Sequence, residues 1–387
     1  MTKLSNIIGG SLRIYSENYY ICDMDIAYSS PLGNQVIGDT LEVLKAYEDE
    51  SIDLVVTSPP FALLRVKEYG NEDQANYIGW LSKFAELVHR KLKPTGSFIL
   101  DLGGAYKRGL PVRSLYNFRI PIEFCDNLGF YLAEDFYWYN PSKLPSPIEW
   151  VNKRKIRVKD AVNNVWWFSK TPHPKADVTK VLTPYSDRMK KLLENPEDYY
   201  SPKERPSGHN ISSNFNDNGG AIPPNLLQIP NSESNSNYLA NCKKAGLKGH
   251  PARFPQKLPE FFIKYLTDKD DLVVDIFGGS NTTGFTAEQL KRRWLSIELD
   301  PSYAAMSSFR FLPKGMSEKD LLNVYYSILS GKQVEIMDFL SNGRQVPNKT
   351  KEFVVQRLKD LQNLPTLDKS QKMILENLEK AESVLVA

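Results

Sequence analysis

The chain has few of the residues that build covalent or metal frameworks. It has three cysteines, Cys22, Cys125 and Cys242, far apart and in no C-x-x-C pair. That usage fits a reducing compartment and excludes a cysteine-rich zinc module. The four histidines, His89, His173, His209 and His250, show no H-E-x-x-H spacing, so they read as surface or structural residues and no metal is expected. Nowhere is there an apolar run of about 18 residues, the length a membrane helix needs, and the amino terminus lacks a basic, apolar, small-residue progression. The expectation is a soluble, cytoplasmic protein without a membrane partner. Net charge is only +3, which by itself names no partner, and 387 residues suffice for a full α/β core with one appended module.

What is present begins with Thr57-Ser58-Pro59-Pro60-Phe61, preceded by the strand-like run Ser51-Ile52-Asp53-Leu54-Val55-Val56. Two consecutive prolines fix φ and remove two N–H donors, so the turn presents carbonyl oxygens, the Ser58 hydroxyl and an aromatic face. Such a wall suits a flat ring that carries an amino group. The exocyclic amino group of cytosine or adenine is a poor nucleophile, because its lone pair is delocalised into the ring. Acceptors aimed at its hydrogens, here Ser58 and a main-chain carbonyl near Pro59, favour the more tetrahedral nitrogen that develops during attack on an electrophile. Taken alone, Ser-Pro-Pro after a strand is as readily an ordinary turn.

A second motif lies more than 200 residues on. The run Leu272-Val273-Val274-Asp275-Ile276-Phe277 leads into Gly278-Gly279-Ser280-Asn281-Thr282-Thr283-Gly284, then a helical stretch, then Trp294-Leu295-Ser296-Ile297-Glu298. Glycines let the backbone approach a ligand and expose N–H groups at a helix start. Glu298, 19 positions beyond Gly279, sits where a carboxylate accepts from both hydroxyls of a ribose. A dinucleotide fingerprint aligned on Gly279 and Gly284 would need glycine at the place held by Asn281, which disfavours NAD. A turn with Asp275 to face an ammonium and loop amides to face a carboxylate fits S-adenosylmethionine.

Alternating segments of period 2 and period 3.6 organise the rest. Strands are expected at Val36 to Asp39, Asp53 to Thr57, Ser97 to Leu100, Leu132 to Tyr139 and Ala161 to Phe168. Helices are expected at Leu41 to Tyr47, Ala75 to Leu92 and near Pro121 to Asn127. This alternation predicts a mostly parallel α/β sheet, with ligands beyond the carboxyl ends of its strands. Residues 171–248 break the rhythm with Pro, Asn, Ser and Gly, and loops are expected at 212–220 and 231–237. Between Lys143 and Lys191 there are twelve Lys or Arg against four Asp or Glu, interleaved with Trp150, Trp166, Trp167 and Phe168. A run of that kind is commonly a solvated face; beside a base-sized pocket it becomes a surface that tracks phosphates.

With TSPPF first, DIFGGSNTTG later and a basic segment between them, the chain resembles the β-class amino methyltransferases of DNA. Further stretches carry the likeness: Gly103-Gly104-Ala105-Tyr106, Phe136-Tyr137-Trp138, the segment from Pro141 to Asp160, Val165-Trp166-Trp167-Phe168-Ser169-Lys170 and His250-Pro251-Ala252-Arg253-Phe254-Pro255. It runs from about Val36 to about Leu329. The resemblance implies a Rossmann-like S-adenosylmethionine-dependent sheet in circularly permuted order. Residues 1–170 would form its catalytic half, 171–248 a target-recognition region, 249–331 the cofactor half and 332–387 a helical extension.

The resemblance also implies methylation of the cytosine N4 amino group in double-stranded DNA, within CAGCTG, as protection from a cognate restriction endonuclease. Ser58, with Pro59 and Pro60, would contact the amino group, Phe61 would stack on the ring, and Asp101 would act with Ser58. Asp39 would lie near the adenosine, with Asp275, Phe277, Gly278, Gly279, Ser280, Asn281, Thr282 and Glu298 on the rest of the cofactor. Read without the family, Asp101 is equally a solvated strand end and Asp39 an N-cap. No cysteine follows a proline, which weighs against carbon-5 chemistry. An adenine-N6 methyltransferase and a non-catalytic DNA-binding protein stay open as alternatives. The family likeness implies a monomer, but the tail opens a route to a dimer: Val354, Leu358 and Leu361, then Ile374, Leu378 and Ala381, recur at helical spacing. A helical hairpin that docks on the body or self-associates is expected there.

Overall fold

The computed structural model describes residues 25–62, 76–196, 216–232 and 236–342, with 355, 358–364, 366, 371, 372, 375 and 379 beyond them. Its strands are β1 (Asp25–Ser30), β2 (Gly33–Ile37), β3 (Ile52–Thr57), β4 (Leu92–Gly103), β5 (Tyr131–Tyr139), β6 (Val162–Ser169), β7 (Leu226–Gln228), β8 (Leu272–Asp275), β9 (Arg293–Glu298) and β10 (Val334–Glu335). They join in the order β10-β1-β2-β9-β8-β3-β4-β6-β5-β7. The central block β2-β9-β8-β3-β4 is parallel throughout, while β6 runs antiparallel to both β4 and β5.

β3 is buried at every position because both faces of the parallel block are covered, as its unbroken apolar run requires. Leu54 and Val56 point into one apolar layer, with Phe262, Ala287 and Val324 of the helices Lys257–Leu266, Thr282–Gln289 and Glu318–Leu329. Val55 points into the other, with Leu81, Phe84, Ala85 and Val88 of the helix Tyr77–Lys91 and Ile120 and Phe124 of Tyr116–Asp126. The first four recur at i, i+3, i+4 and i+7, the spacing of one helix face.

The expected strands and helices are found, with shifted ends. β2 stops at Ile37, and the helix expected over Leu41 to Tyr47 is one turn, Thr40–Val43, tightening into the 3-10 segment Leu44–Ala46. β4 reaches back to Leu92, which pairs with Ile52, before the register shifts and Ser97 pairs near Leu54; Pro94-Thr95-Gly96 forms that irregularity. β1, β7 and β10 were not expected, the last two being three and two residues long, too short to show a period.

Both ends of the 171–248 region belong to the body: at the first, Asp177 N bonds Tyr265 O at 2.9 Å and Lys175 Nζ bonds Asp271 at 2.6 Å. β7 pairs with β5, and Tyr238 and Cys242, on the helix Asn237–Lys244, are buried in the core. The loops expected at 212–220 and 231–237 fall only partly within the described residues. In the tail, Leu358 and Leu361 are buried against the body, as docking requires; Val354, Ile374, Leu378 and Ala381 lie outside the described residues. No helix among the described residues is long and apolar enough to cross a membrane.

Candidate active site

Because the five central strands are parallel, their carboxyl ends share one edge of the sheet, and each delivers a polar residue there. Asp39 follows β2, Glu298 ends β9, Asp275 ends β8, Ser58 follows β3, and Asp101 lies near the end of β4. The chain crosses from β3 to β4 in one direction and from β8 to β9 in the other, so the crevice between β3 and β8 is the topological switch point, where such sheets bind ligands. A cavity of about 790 Å³ opens there, toward the upper end of the small-molecule range. Ser58, Pro59, Pro60, Phe61 and Asp101 line it together with Asp39, Asp275, Phe277, Gly278, Gly279, Ser280, Thr282 and Glu298. The two distant motifs therefore face one space.

On one side, the Ser58 hydroxyl donates to Asp101 Oδ2 at 3.0 Å and Asn163 Nδ2 donates to Asp101 Oδ1 at 3.0 Å. Asp101 is 4% exposed. Burial drives its carboxyl up to about 6, against the opposing pull of the Asn163 and Ser58 hydrogen bonds and the charge of Lys143. At neutral pH it is a buried carboxylate poised to take a proton. While Ser58 donates to Asp101, its oxygen keeps lone pairs turned to the cavity. Phe61 lies against Gly103: a Cβ there would fall 2.5 Å from Phe61 Cε2, so glycine at this β4 position is what lets the ring seat.

On the other side, Phe277 packs with Trp80 and Phe84 at centroid distances of 5.6 and 5.0 Å, and all three line the cavity. Beside this apolar wall, Glu298 accepts from Gly279 N at 2.7 Å and Asp300 N at 2.9 Å, and burial pushes its carboxyl up to about 7. Gly278 passes so close to β9 that a Cβ would sit 2.2 Å from Ser296 Oγ. Asp39 caps the turn Thr40–Val43 through Leu41 N and also faces the cavity. Arg310, buried, donates to Ser280 O and Oγ at 2.9 and 3.1 Å and holds the loop from behind.

Three residues are held in ways that the sequence does not specify. Asn281 does not turn its side chain to the cavity. It occupies left-handed backbone at φ 50° and caps the helix Thr282–Gln289 through Gly284 N, while its amide donates to Tyr28. Asp275 lines the cavity, but its oxygens first accept from Thr57 Oγ1 at 2.6 Å, Thr283 Oγ1 at 2.8 Å and Phe277 N at 3.1 Å, so it fastens β3 to β8. His250 takes the structural one of its two expected roles. It is buried on the cavity wall beside Gly279, Nδ1 lies 2.7 Å from Ala252 O, and burial lowers the ring to about 4, which keeps it neutral. No cluster able to hold a metal occurs among the described residues.

Trp80, Phe84 and Asn163 were missed as site residues. Trp80 and Phe84 stand four apart on an expected helix, but periodicity does not tell which loop the helix end meets. Asn163 reaches Asp101 only because β6 pairs antiparallel with β4.

The family model described as DNA methylase matches residues 52–309. The chain belongs to this family. It is 64% identical over 311 residues to the type II methyltransferase M.PvuII of Proteus hauseri, a match covering 80% of this chain and 93% of that protein. M.BglII of Bacillus subtilis, another type II methyltransferase, is 25% identical over 303 residues, covering 78% and 70%. The solved structure of the PvuII DNA methyltransferase, described as cytosine-N4-specific, matches with a TM-score of 0.67 at 56% identity, covering 80% of this chain and 97% of that one. As a family member the chain is a DNA methyltransferase that uses S-adenosylmethionine. The cavity suits that cofactor: an aromatic wall for a purine, a buried carboxylate for a ribose, and a glycine turn for the amino-acid end.

Proposed function

We propose that this chain transfers a methyl group from S-adenosylmethionine to the N4 amino group of cytosine in double-stranded DNA, within CAGCTG, and so protects that site from a cognate restriction endonuclease. The observation that carries this reading is the Ser58–Asp101 pair and Phe61 facing the same cavity as the Glu298 and Gly278-Gly279 cradle. Likeness to the cytosine-N4-specific PvuII enzyme supports the choice of base and of site. The protein acts in the cytoplasm, as a monomer or as a dimer joined through its tail.

Trp80, Phe84 and Phe277 would hold the adenine, Glu298 the ribose, and the loop from Gly278 to Thr282 the amino-acid end. When bound, the cofactor supplies an electrophilic sulfonium methyl. The chain's own residues prepare the nucleophile. Extruding the cytosine costs a few kcal/mol, and stacking on Phe61, worth about 1 to 3 kcal/mol in comparable contacts, offsets part of it. The Ser58 oxygen and a carbonyl near Pro59 accept from the amino group and orient its lone pair. Ser58 donates at the same time to Asp101, which becomes the better sink for the released proton as pH rises above about 6. Incubation with plasmid DNA and labelled cofactor, followed by nucleoside mass analysis and base-resolution mapping, tests the assignment. N4-methylcytosine in CAGCTG is the expected product; N6-methyladenine would transfer the same cavity to the adenine reading.

A further inference from the structure

The segment between β5 and β6 is a flap whose feet stand on the cavity mouth. Asn140, Lys143 and Ala161 line the cavity, and Asn140 N bonds Ala161 O at 2.9 Å, closing the base. Its two limbs are stitched together: Lys159 Nζ donates to the carbonyls of Pro141 and Lys143 at 3.0 and 3.3 Å, and Asp160 N to Ser146 O at 3.0 Å. Arg113 grips Asp160 with two bonds of 2.6 and 2.8 Å, and Arg157 donates to Pro111 O, so the flap is also fastened to the loop after β4. Four aliphatic side chains of the flap are exposed, and the two that flank the stitch are the most open: Leu144 is 80% and Val158 87% exposed, against 61% for Ile148 and 48% for Ile156. Between Pro141 and Asp160 stand six lysines or arginines against two carboxylates.

A pair of aliphatic tips on a braced, cationic arm beside a base-sized cavity calls for a partner that is polyanionic outside and apolar inside. Duplex DNA has that chemistry, with phosphates around a stack of bases. We propose that Leu144 and Val158 form a wedge that enters the base stack of the bound duplex and fills the space left by the extruded cytosine, while the cations around them hold the flanking phosphates. This rests on the methyltransferase reading above and adds the residues that stabilise the open duplex. The wedge offsets lost stacking, so it matters only when a paired, stacked base has to leave.

Single-turnover methylation by the full-length parent and by the double variant Leu144→Ala, Val158→Ala tests this, on two duplexes. In one the target cytosine faces guanine; in the other it faces an abasic site, which removes most of the pairing cost. The variant should lose about tenfold or more on the paired duplex and stay within about threefold of the parent on the other. Leu144→Met with Val158→Ile should restore the paired rate. Both positions are exposed, so cofactor affinity and melting temperature should not move. Equal loss on the two duplexes, or no loss on either, would overturn the wedge and leave these residues as general DNA contacts or surface. Failure of the parent protein to methylate either duplex would remove the wedge together with the reading beneath it.

Discussion

Replacing Ser58 by alanine tests the catalytic half of the cavity, because the hydroxyl has one hydrogen-bond partner among the described residues and one expected in the substrate. The change removes one of the two side-chain donors that Asp101, a carboxylate 4% exposed, has among the described residues. A hydrogen bond to a buried charged group is worth about 1.5–3 kcal/mol, which corresponds to roughly a 10- to 150-fold loss in turnover if it acts in the transition state. With that donor gone, the Asp101 carboxyl climbs further above its value of about 6, so the acidic limb of the rate profile should move to higher pH. No contact of Ser58 reaches the Trp80, Phe277 and Glu298 side, so the Kd for S-adenosylmethionine should stay within about twofold. The assay is single-turnover transfer of labelled methyl into a CAGCTG duplex from pH 5.5 to 8.5, with cofactor and DNA affinities measured calorimetrically. Unchanged turnover with weakened binding of both partners would refute the reasoning.

Glu298 gives a pH signature of opposite sense in stability and in binding. Burial raises its folded-state pKa to about 7, so its contribution to the stability of the cofactor-free protein is full below the ordinary carboxylate range and is lost as pH rises through about 7. A ribose diol donates best to the ionised form, so the rise in Tm on adding S-adenosylmethionine should be larger at pH 8 than at pH 6, and equal rises would contradict the contact. Gly103→Ala places a Cβ 2.5 Å from Phe61 Cε2; it should unseat the ring and weaken turnover on DNA at least tenfold with cofactor affinity retained, and parallel loss of both would count against Phe61 as the stacking partner. Trp80→Ala should instead weaken cofactor binding by about 1 to 3 kcal/mol in a calorimetric titration, with kcat at saturating cofactor little changed. Asp101→Asn should abolish the acidic limb near pH 6, and a variant that keeps it would exclude Asp101 as the titrating group.

Much of this site was readable before any coordinates, because the motif residues at strand ends mark the same rim that parallel topology forces into one plane. Ser58 after β3, Asp275 after the run from Leu272 and Glu298 at the end of β9 each follow an apolar run that only a strand buried on both faces explains. What sequence did not expose depends on packing across elements. Asn281 fits the pattern of a ligand loop, yet its left-handed backbone and its bonds to Gly284 and Tyr28 make it a cap. His250 belongs to no metal spacing, and only the approach of its loop to Gly279 brings it to the cavity. Trp80 and Asn163 arrive from a helix face and a strand register, neither of which a linear pattern specifies.

The most direct measurement is a structure of the protein with S-adenosylhomocysteine and a CAGCTG duplex. The account predicts a cytosine out of the helix with its N4 in hydrogen-bond reach of Ser58 Oγ, its ring against Phe61, and the ribose of the cofactor product on Glu298. A cytosine still stacked in the duplex, or a nucleoside bound away from the crevice between Ser58 and Gly279, would contradict it.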